Sequence, residues 1–223
     1  MKHTEKEILL LKEQINEMWR LVISQLEKAK DAFLNNDVEL ALEVISREKR
    51  VNVYDLKVDN DCENFIALYS PVAIDLRLVL SLIKISAALE RIGDFAEGIA
   101  RFVADKDCKD LDDDLLEKLQ MEKMFDIIIG MLYDCYATLD SENTKISGKI
   151  LAKDKIVNRI YLNSISVLSE YTRANPDFTE CGYKLFLLVR KLERVGDHCS
   201  NIVEEIVFYI DAKILKHGGL SID

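Results

Sequence analysis

Proline and glycine are scarce in this sequence, and basic residues are outnumbered by acidic ones. The 223 residues include two prolines and eight glycines, few of the residues on which the tight turns of a β-protein depend. The formal net charge is −10 at pH 7. Such a charge argues against a nucleic-acid-binding protein, which usually has a basic face, and against direct adhesion to anionic lipid. We therefore expect an all-α protein with no nucleic-acid partner.

Paired cysteines and uninterrupted apolar segments are also lacking. The cysteines number five and form no C-x-x-C motif, which is typical of reduced thiols in a cytosolic protein. The most apolar segment, 72–92, is interrupted by Asp75, Arg77 and Lys84, so it predicts a buried helix and not a membrane span. The first residues begin a charged amphipathic helix and do not resemble a signal peptide. These features predict a cytoplasmic protein that is not inserted in the membrane.

Apolar residues recur at helical intervals along almost the whole chain. The pattern predicts six long helices, over about 5–35, 38–68, 71–103, 115–139, 145–173 and 176–216. Asp37 can cap the second helix, Ser70-Pro71 and Asn175-Pro176 are expected to start the third and sixth, and Gly218-Gly219 to end the sixth. Long helices joined by short turns fold back antiparallel. The polar segment 104–114 then separates two tandem three-helix bundles, 1–106 and 107–223.

Two short motifs occur in both halves. The sequence LERIGD at 89–94 returns as LERVGD at 192–197, and EKRVN at 48–52 corresponds to DKIVN at 154–158. Each copy of the first motif places a glycine inside a helix, at a cost of about 1 kcal/mol relative to alanine. We therefore expect the backbone of a neighbouring helix to approach closely at both glycines. The two bundles are predicted to be an internal duplication.

Acidic and amide side chains follow one face of the second and third helix of each bundle. An acid four residues after another acid lies on the same helix face. If neighbouring helices turn these faces toward each other, the clustered carboxylates require a counter-charge. Oxygen ligands of this kind suit Mg²⁺, Ca²⁺, Mn²⁺ or iron. The candidate metal ligands are Glu48, Asn52, Asp55, Glu90, Asp94 and Glu97 in the first half, and Asp154, Asn158, Glu193, Asp197, Asn201 and Glu204 in the second.

Two other interpretations of these acidic faces are open. Acids make up 40 of the 223 residues, so the bare spacing is weak and a structural protein with solvated acidic faces is one alternative. A carboxylate-bridged di-metal oxidase or oxygenase in a helix bundle is the other. Such sites typically use Glu-x-x-His motifs, which this sequence lacks. We therefore expect no enzyme, and His198 is expected at the surface or at an interface.

The repeated motif, together with SPVAIDLR at 70–77 and VGDHCSNI at 195–202, resembles the PhoU family of phosphate-signalling proteins. The resemblance covers nearly the whole chain. It implies two tandem three-helix bundles and a cytoplasmic regulator of inorganic phosphate uptake. Such proteins are adaptors between the ATPase subunit of the phosphate ABC transporter and a sensor histidine kinase. They restrain the phosphate-starvation response when phosphate is plentiful, and any membrane association is peripheral, through protein partners.

The resemblance also implies metal at the E/D-x-x-x-D motifs, which are Glu90 with Asp94 and Glu193 with Asp197. The expected metals are iron, zinc, manganese or magnesium, with the acids and amides of the second and fifth helices completing the sites. The family often continues the motif to an asparagine, which is present at Asn201, whereas the first copy has Gly98. The first site is therefore expected to hold metal differently or weakly. The long amphipathic helices favour a homodimer.

Overall fold

Long α-helices make up most of the structure. The computed structural model of the chain describes residues 2–105, 108, 111–216 and 220–221. Six helices of 20 or more residues confirm the all-α prediction, and a seventh helix of six residues is additional. In these described ranges the α-helices are α1 (Lys2–Asn35), α2 (Val38–Tyr69), α3 (Ala73–Ala104), α4 (Asp113–Lys118), α5 (Met121–Asp140), α6 (Ser147–Ala174) and α7 (Thr179–Asp211). Short 3₁₀ turns, Thr144–Ile146 and Pro176–Phe178, precede α6 and α7.

The turn between α1 and α2 follows from its sequence. Asn36 has a left-handed backbone, with φ of 51°, which asparagine tolerates better than most residues. The next residue, Asp37, accepts a hydrogen bond from the backbone N–H of Leu40 at 3.0 Å. This bond satisfies one of the free N–H groups at the start of α2. The predicted cap at Asp37 is confirmed.

Ser70 has a different role from the one predicted. It is the left-handed residue that ends α2, with φ of 47°, and its N–H donates to the carbonyl oxygen of Ile66 at 3.1 Å. The helix α3 begins only at Ala73, after Pro71 and Val72. A left-handed residue satisfies the last carbonyl groups of a helix, and a proline after it prevents continuation. The prediction that Ser70-Pro71 starts the third helix was therefore wrong.

The fourth and sixth predicted helices also need correction. The segment predicted as one helix over 115–139 is divided into α4 and α5 by Gln120, whose φ is 53°. The last helix ends at Asp211 and not at Lys216, because Ala212 is left-handed and its N–H donates back to Phe208. Residues 215–216 pair instead with 220–221 as two short antiparallel strands. The predicted stop at Gly218-Gly219 lies outside the described residues.

Each half is a three-helix bundle, and the two bundles pack on each other. The first contains α1, α2 and α3, and the second contains α5, α6 and α7. The contact between them is made by α3 with α7 and by α1 with α5. The hydroxyl of Ser81 donates to the carbonyl oxygen of Glu205 at one end of the α3–α7 contact, and Lys184 pairs with Asp105 at the other. These two helices therefore run antiparallel.

The buried apolar side chains of both bundles form one continuous core. Trp19 of the first bundle and Phe125 of the second are among its largest fully buried members. The division into domains between residues 106 and 107 stays a prediction, since both residues lie outside the described part of the chain. All five cysteines are buried free thiols. None of the described helices has the length and apolar character needed to cross a membrane.

Candidate metal centre

The two motif glycines lie where the third helix of each bundle meets the second. A Cβ atom added to Gly93 would be 3.1 Å from Cγ1 of Val51 on α2. A Cβ atom added to Gly196 would be 3.0 Å from Oδ1 of Asp154 and 3.5 Å from Cγ1 of Val157 on α6. The nearest neighbouring atoms belong to side chains. The prediction that a neighbouring backbone approaches these glycines is therefore corrected: side chains of the second helix of each bundle do so. The repeated valine–glycine contact brings α3 against α2, and α7 against α6, in the same way.

The first acidic cluster joins α2 and α3. The side-chain amide of Asn52 donates to the carboxylate of Glu48, one turn away. Burial raises the pKa of Glu90. The charges of Asp94 on α3, and more weakly of Asp55 and Glu48 on α2, raise it further. The structure therefore brings together the first-half candidates on α2 and the LERIGD motif.

Arginines of α3 already pair with several acids of this cluster. Arg91 lies 3.2 Å from the carboxylate of Asp94 and 3.5 Å from that of Glu90. Arg101 pairs with Glu97 at 2.7 Å. Both arginines are exposed, and ion pairs of this kind contribute under about 1 kcal/mol each to stability. They nevertheless supply positive charge to the first cluster.

The second acidic cluster joins α6 and α7 and repeats the amide–carboxylate pair. Asn158 donates through Nδ2 to Oδ2 of Asp154 at 3.2 Å. Burial raises the pKa of Asp154, and the charge of Asp197 raises it further. Burial also raises the pKa of Glu193, followed by the charges of Asp197 and Asp154. Four of the six second-half candidates are therefore brought together.

The two remaining second-half candidates lie further along α7. Asn201, one turn beyond Asp197, is exposed. Within the described residues, no hydrogen bond or ion pair joins Asn201 to the four clustered side chains. Glu204 lies almost two turns beyond Asp197 and is half-buried. These two residues continue the same polar face along α7.

Buried oxygen atoms without hydrogen-bond donors occur at equivalent places in both clusters. Oδ1 of Asn52, Oδ1 of Asp154 and Oδ1 of Asn158 are buried and have no donor among the described residues. A buried acceptor left unpaired costs about 1–3 kcal/mol, and a bound cation would remove that cost. Carboxylate and amide oxygens are the ligands of a hard cation. These oxygen atoms are therefore of the chemical type that a hard cation prefers.

The side chains are not gathered into a finished coordination sphere. Among the described residues, no three His, Cys, Asp or Glu side chains lie close enough together to hold a metal ion. Neighbouring carboxylates repel each other without a cation between them, and the amides of Asn52 and Asn158 donate to carboxylates that would otherwise be ligands. Metal binding at these clusters therefore requires the amides and carboxylates to rotate.

A serine near the first cluster was missed from the sequence. The buried hydroxyl of Ser86 donates to Oδ1 of Asp55 at 2.8 Å. Oδ1 of Asp59 is a further buried oxygen without a donor in the described chain. Ser86 lies one turn before Glu90 on α3, so a serine in line with the motif was the available signal. Asp59 continues the acidic face of α2 one turn after Asp55.

His198 lies at the contact between the bundles, as expected. Its ring packs against Phe95 of α3 with 5.7 Å between centroids. The guanidinium of Arg194 lies over the same phenyl ring at 5.3 Å. Burial lowers the pKa of His198, and the charges of Arg194 and Arg91 lower it further. The histidine therefore helps join α3 to α7.

The fold and the clusters define a class of protein: a duplicated three-helix bundle with an acidic and amide cluster between the second and third helix of each copy. A family model described as "PhoU domain" matches residues 15–103 and again residues 121–206. Since these two matches span most of the sequence, the chain belongs to the PhoU family.

Named relatives agree with this assignment. The chain is 30% identical to the phosphate-specific transport system accessory protein PhoU of Edwardsiella tarda, over 98% of this chain and 90% of that protein. It is 31% identical to the protein of the same name from Escherichia coli (strain K12), over 97% and 89%. The crystal structure of PhoU from Pseudomonas aeruginosa superposes with a TM-score of 0.84 at 25% identity, covering 93% of this chain and 99% of that one.

Proposed function

We propose that this protein is an accessory and regulatory protein of a phosphate-specific transport system. The observation that carries the proposal is the similarity to phosphate-specific transport accessory proteins over almost the full length of this chain and of those relatives. Regulation of phosphate uptake by binding other proteins needs no catalytic residues. Helical faces that dock on partners are sufficient for it.

More specifically, we propose that this accessory protein acts as a cytoplasmic adaptor. Its partners are the ATPase subunit of a phosphate ABC transporter and a sensor histidine kinase, and it restrains the starvation response when phosphate is plentiful. An adaptor transmits a signal only if it binds two states of a partner with different affinity. Exposed apolar side chains on α2 and α6, such as Leu56 at 70% and Leu162 at 64% exposure, supply surfaces for partners or for a second copy in a homodimer.

Both acidic clusters are proposed to bind metal ions, with iron, zinc, manganese and magnesium as candidates. Glu48, Asn52, Glu90 and Asp94 would hold metal in the first bundle. Their equivalents Asp154, Asn158, Glu193 and Asp197 would hold it in the second. The ion would neutralise the carboxylates and satisfy the unpaired oxygens. It would thereby fix the spacing of α2 from α3, and of α6 from α7, at the faces that partners meet.

Elemental analysis of protein purified without chelator or nickel affinity tests the metal proposal. A Glu193→Ala/Asp197→Ala variant should lose bound metal and the accompanying rise in melting temperature, because a ligand that binds only the folded state stabilises it. Glu122 and Asp126 form an exposed pair at the same spacing on α5 and provide the matched control, Glu122→Ala/Asp126→Ala. Equal metal content in both variants would contradict the assignment of the site.

Partner binding tests the adaptor role separately. The purified chain is titrated against the ATPase subunit of the phosphate transporter, and against the cytoplasmic part of the sensor kinase, from the same organism. Binding to both, with an affinity for the ATPase subunit that changes with its nucleotide state, is the expected result. Failure to bind either partner, with and without added metal, would reject the adaptor role. Light scattering on the same preparations measures the oligomeric state.

A further inference from the structure

A surface groove of about 440 Å³ lies between α1 and α2 of the first bundle. It is shared with α1, whereas the first acidic cluster is shared with α3, so the two features are separate. The groove is lined by a tyrosine, an exposed valine, three basic residues and one acid, which are Tyr54, Val53, Lys49, Arg50, Lys57 and Glu17. All of these except the acid belong to one face of α2, because residues three or four apart are neighbours on a helix.

The basic residues of this groove are exposed and have no acidic partner. In the part of the chain that the structure describes, no carboxylate forms a salt bridge with Lys49, Arg50 or Lys57. The acid that lines the groove, Glu17, accepts a hydrogen bond from the hydroxyl of Tyr54 at 3.2 Å. A chain with a net charge of −10 therefore presents a local excess of positive charge at this groove.

Exposed apolar side chains lie among these cations. Val53 is 64% exposed, and Leu56, three residues later on α2, is 70% exposed. Val53 lies four residues after Lys49 and four before Lys57, so these three form a row of cation, apolar residue and cation. The row is about 12 Å long at a rise of about 1.5 Å per residue. An apolar strip with a charged rim suits contact with another protein.

The equivalent face of the second bundle lacks this row. EKRVN of α2 aligns with DKIVN of α6, so positions 49, 53 and 57 correspond to Lys155, Arg159 and Asn163. Leu162, the equivalent of Leu56, is also exposed. The first lysine and the leucine are therefore shared, but the central apolar residue and the second lysine are not. The alternation of charge and apolar surface belongs to the first bundle and not to the repeat.

We propose that this groove docks an acidic amphipathic helix of a partner protein. Apolar side chains of that helix cover Val53 and Leu56, and its acids, about two turns apart, pair with Lys49 and Lys57. Removal of the apolar side chains from water favours the contact, and the charges steer and orient it. This inference rests on the proposed function, since it gives the chemistry of a partner segment at a surface of the adaptor.

Charge complementarity favours this occupant over other anions. Nucleic acid and anionic membranes need a broad basic face, but beyond this groove they meet a chain with a net charge of −10. A solvated polyanion also makes no use of the apolar strip. A helix that carries acids on its flanks and leucines on one face uses both parts of the groove.

Fluorescence anisotropy of a labelled model peptide, titrated with the full chain, tests the groove. The peptide is helical, with glutamates two turns apart and leucines between them. Lys49→Gln/Arg50→Gln/Lys57→Gln should weaken its binding about tenfold, because three exposed ion pairs are lost. Val53→Gln/Leu56→Gln should also weaken it about tenfold, because less apolar surface is buried. A peptide with lysines in place of the glutamates should not bind.

The matched control is Lys123→Gln/Lys145→Gln/Lys213→Gln, which removes the same three charges from exposed positions outside the groove. It should leave the affinity for the peptide unchanged. An equal loss in this control and in the groove variant would overturn the inference, because net charge alone would then govern binding. Circular dichroism verifies that each variant is folded.

The remaining outcomes separate this inference from the proposed function. Peptide binding that is unchanged in Val53→Gln/Leu56→Gln would assign the groove to a polyanion and overturn the inference. Loss of a dimer in light scattering of the three-cation variant would make the groove an interface between copies of this chain. If the peptide does not bind but the ATPase subunit and the kinase do, the groove assignment fails and the adaptor role stands. If the peptide binds as expected and neither partner does, the adaptor role fails instead.

Discussion

The indole nitrogen of Trp19 donates a hydrogen bond to the main-chain carbonyl oxygen of Leu132 at 3.3 Å. Trp19 belongs to α1 and is fully buried, whereas Leu132 belongs to α5 of the other bundle. The indole also meets the edge of Tyr136 at 5.8 Å between centroids. A single side chain therefore contributes packing and a hydrogen bond to the contact between the two copies of the repeat.

Replacing Trp19 should destabilise both bundles together. Trp19→Ala is expected to lower the free energy of unfolding by about 3–5 kcal/mol, the range for truncating a large buried aromatic side chain. Trp19→Phe keeps most of the packing and should cost less. Urea unfolding followed by far-ultraviolet circular dichroism measures both. Tyr133→Phe on α5 removes an exposed hydroxyl that donates to Glu27 and should change stability by under about 0.5 kcal/mol. A loss below about 1 kcal/mol in Trp19→Ala would contradict the assigned contact.

Replacing Gly93 by alanine should have two opposing effects on the free energy of unfolding. A helix interior gains about 1 kcal/mol when alanine replaces glycine, but the added Cβ would lie 3.1 Å from Val51, and overpacking typically costs about 1–3 kcal/mol. We expect Gly93→Ala to lower the free energy of unfolding by about 1 kcal/mol in total. The shift in the midpoint of urea unfolding measures this loss. Gly130→Ala on α5 is the control, because its Cβ would meet only Nζ of Lys153 at 3.6 Å, and it should stabilise. Equal gains at both glycines would show that α2 and α3 are not tightly packed there.

The sequence was sufficient to predict what depends on periodicity and repetition. The helical spacing predicted the six long helices, and the duplicated motif predicted that Glu90 and Glu193 occupy equivalent places. Caps with a strong local preference, such as Asp37, were also predictable. Left-handed residues that are not glycine carry almost no local signal, which is why the helix breaks at Gln120 and Ala212 were missed.

Contacts between the two bundles could not be predicted from the pattern. A Cβ atom added to Gly98 of α3 would lie 2.5 Å from Cε of Lys191 on α7. This approach depends on how α7 crosses α3, and the local sequence of neither helix specifies that crossing. Ser86 was missed for a related reason, since its partner Asp55 lies on another helix. Such long-range juxtapositions follow from packing, not from local propensity.

Arg77, in the SPVAIDLR segment, should hold the end of α7 in place. Its Nε donates to the carbonyl oxygen of Tyr209 at 3.2 Å, in the last turn, where carbonyl groups lack helical partners. Arg77→Ala is expected to weaken that turn by about 1.5–3 kcal/mol, the range for a hydrogen bond with a charged donor. Amide hydrogen exchange over residues 206–211 measures the effect.

A second pair on the same contact provides the control for Arg77. Lys84 pairs with Glu205 at 2.9 Å and its side chain is 54% exposed. Lys84→Ala should therefore change exchange of the same amides by under about 1 kcal/mol. If Arg77→Ala accelerates the exchange of these amides no more than Lys84→Ala does, the hydrogen bond from Arg77 to Tyr209 does not stabilise the end of α7.

Glu142 should make stability depend on pH in the acid range. Its carboxylate accepts hydrogen bonds from Lys12 at 2.5 Å and from the hydroxyl of Tyr209 at 2.8 Å. The bond with Lys12 is the main cause that lowers the pKa of Glu142 below its ordinary value of 4.5, and burial opposes it. Because the folded state favours the carboxylate, its contribution is complete above the pKa of the unfolded chain. It is lost as the pH falls through the lower pKa of the folded protein.

Removing this carboxylate should flatten that dependence. Urea unfolding of Glu142→Gln between pH 7 and pH 3 is expected to show a smaller acid loss than the wild type, by under about 1 kcal/mol because the side chain is 46% exposed. Glu122→Gln, at an exposed position of α5, should leave the wild-type curve unchanged. Lys12→Met should reproduce much of the effect, since Lys12 is the main cause of the shift. Parallel curves for wild type and Glu142→Gln would mean that the bridge from α1 to the α5–α6 turn does not persist in solution.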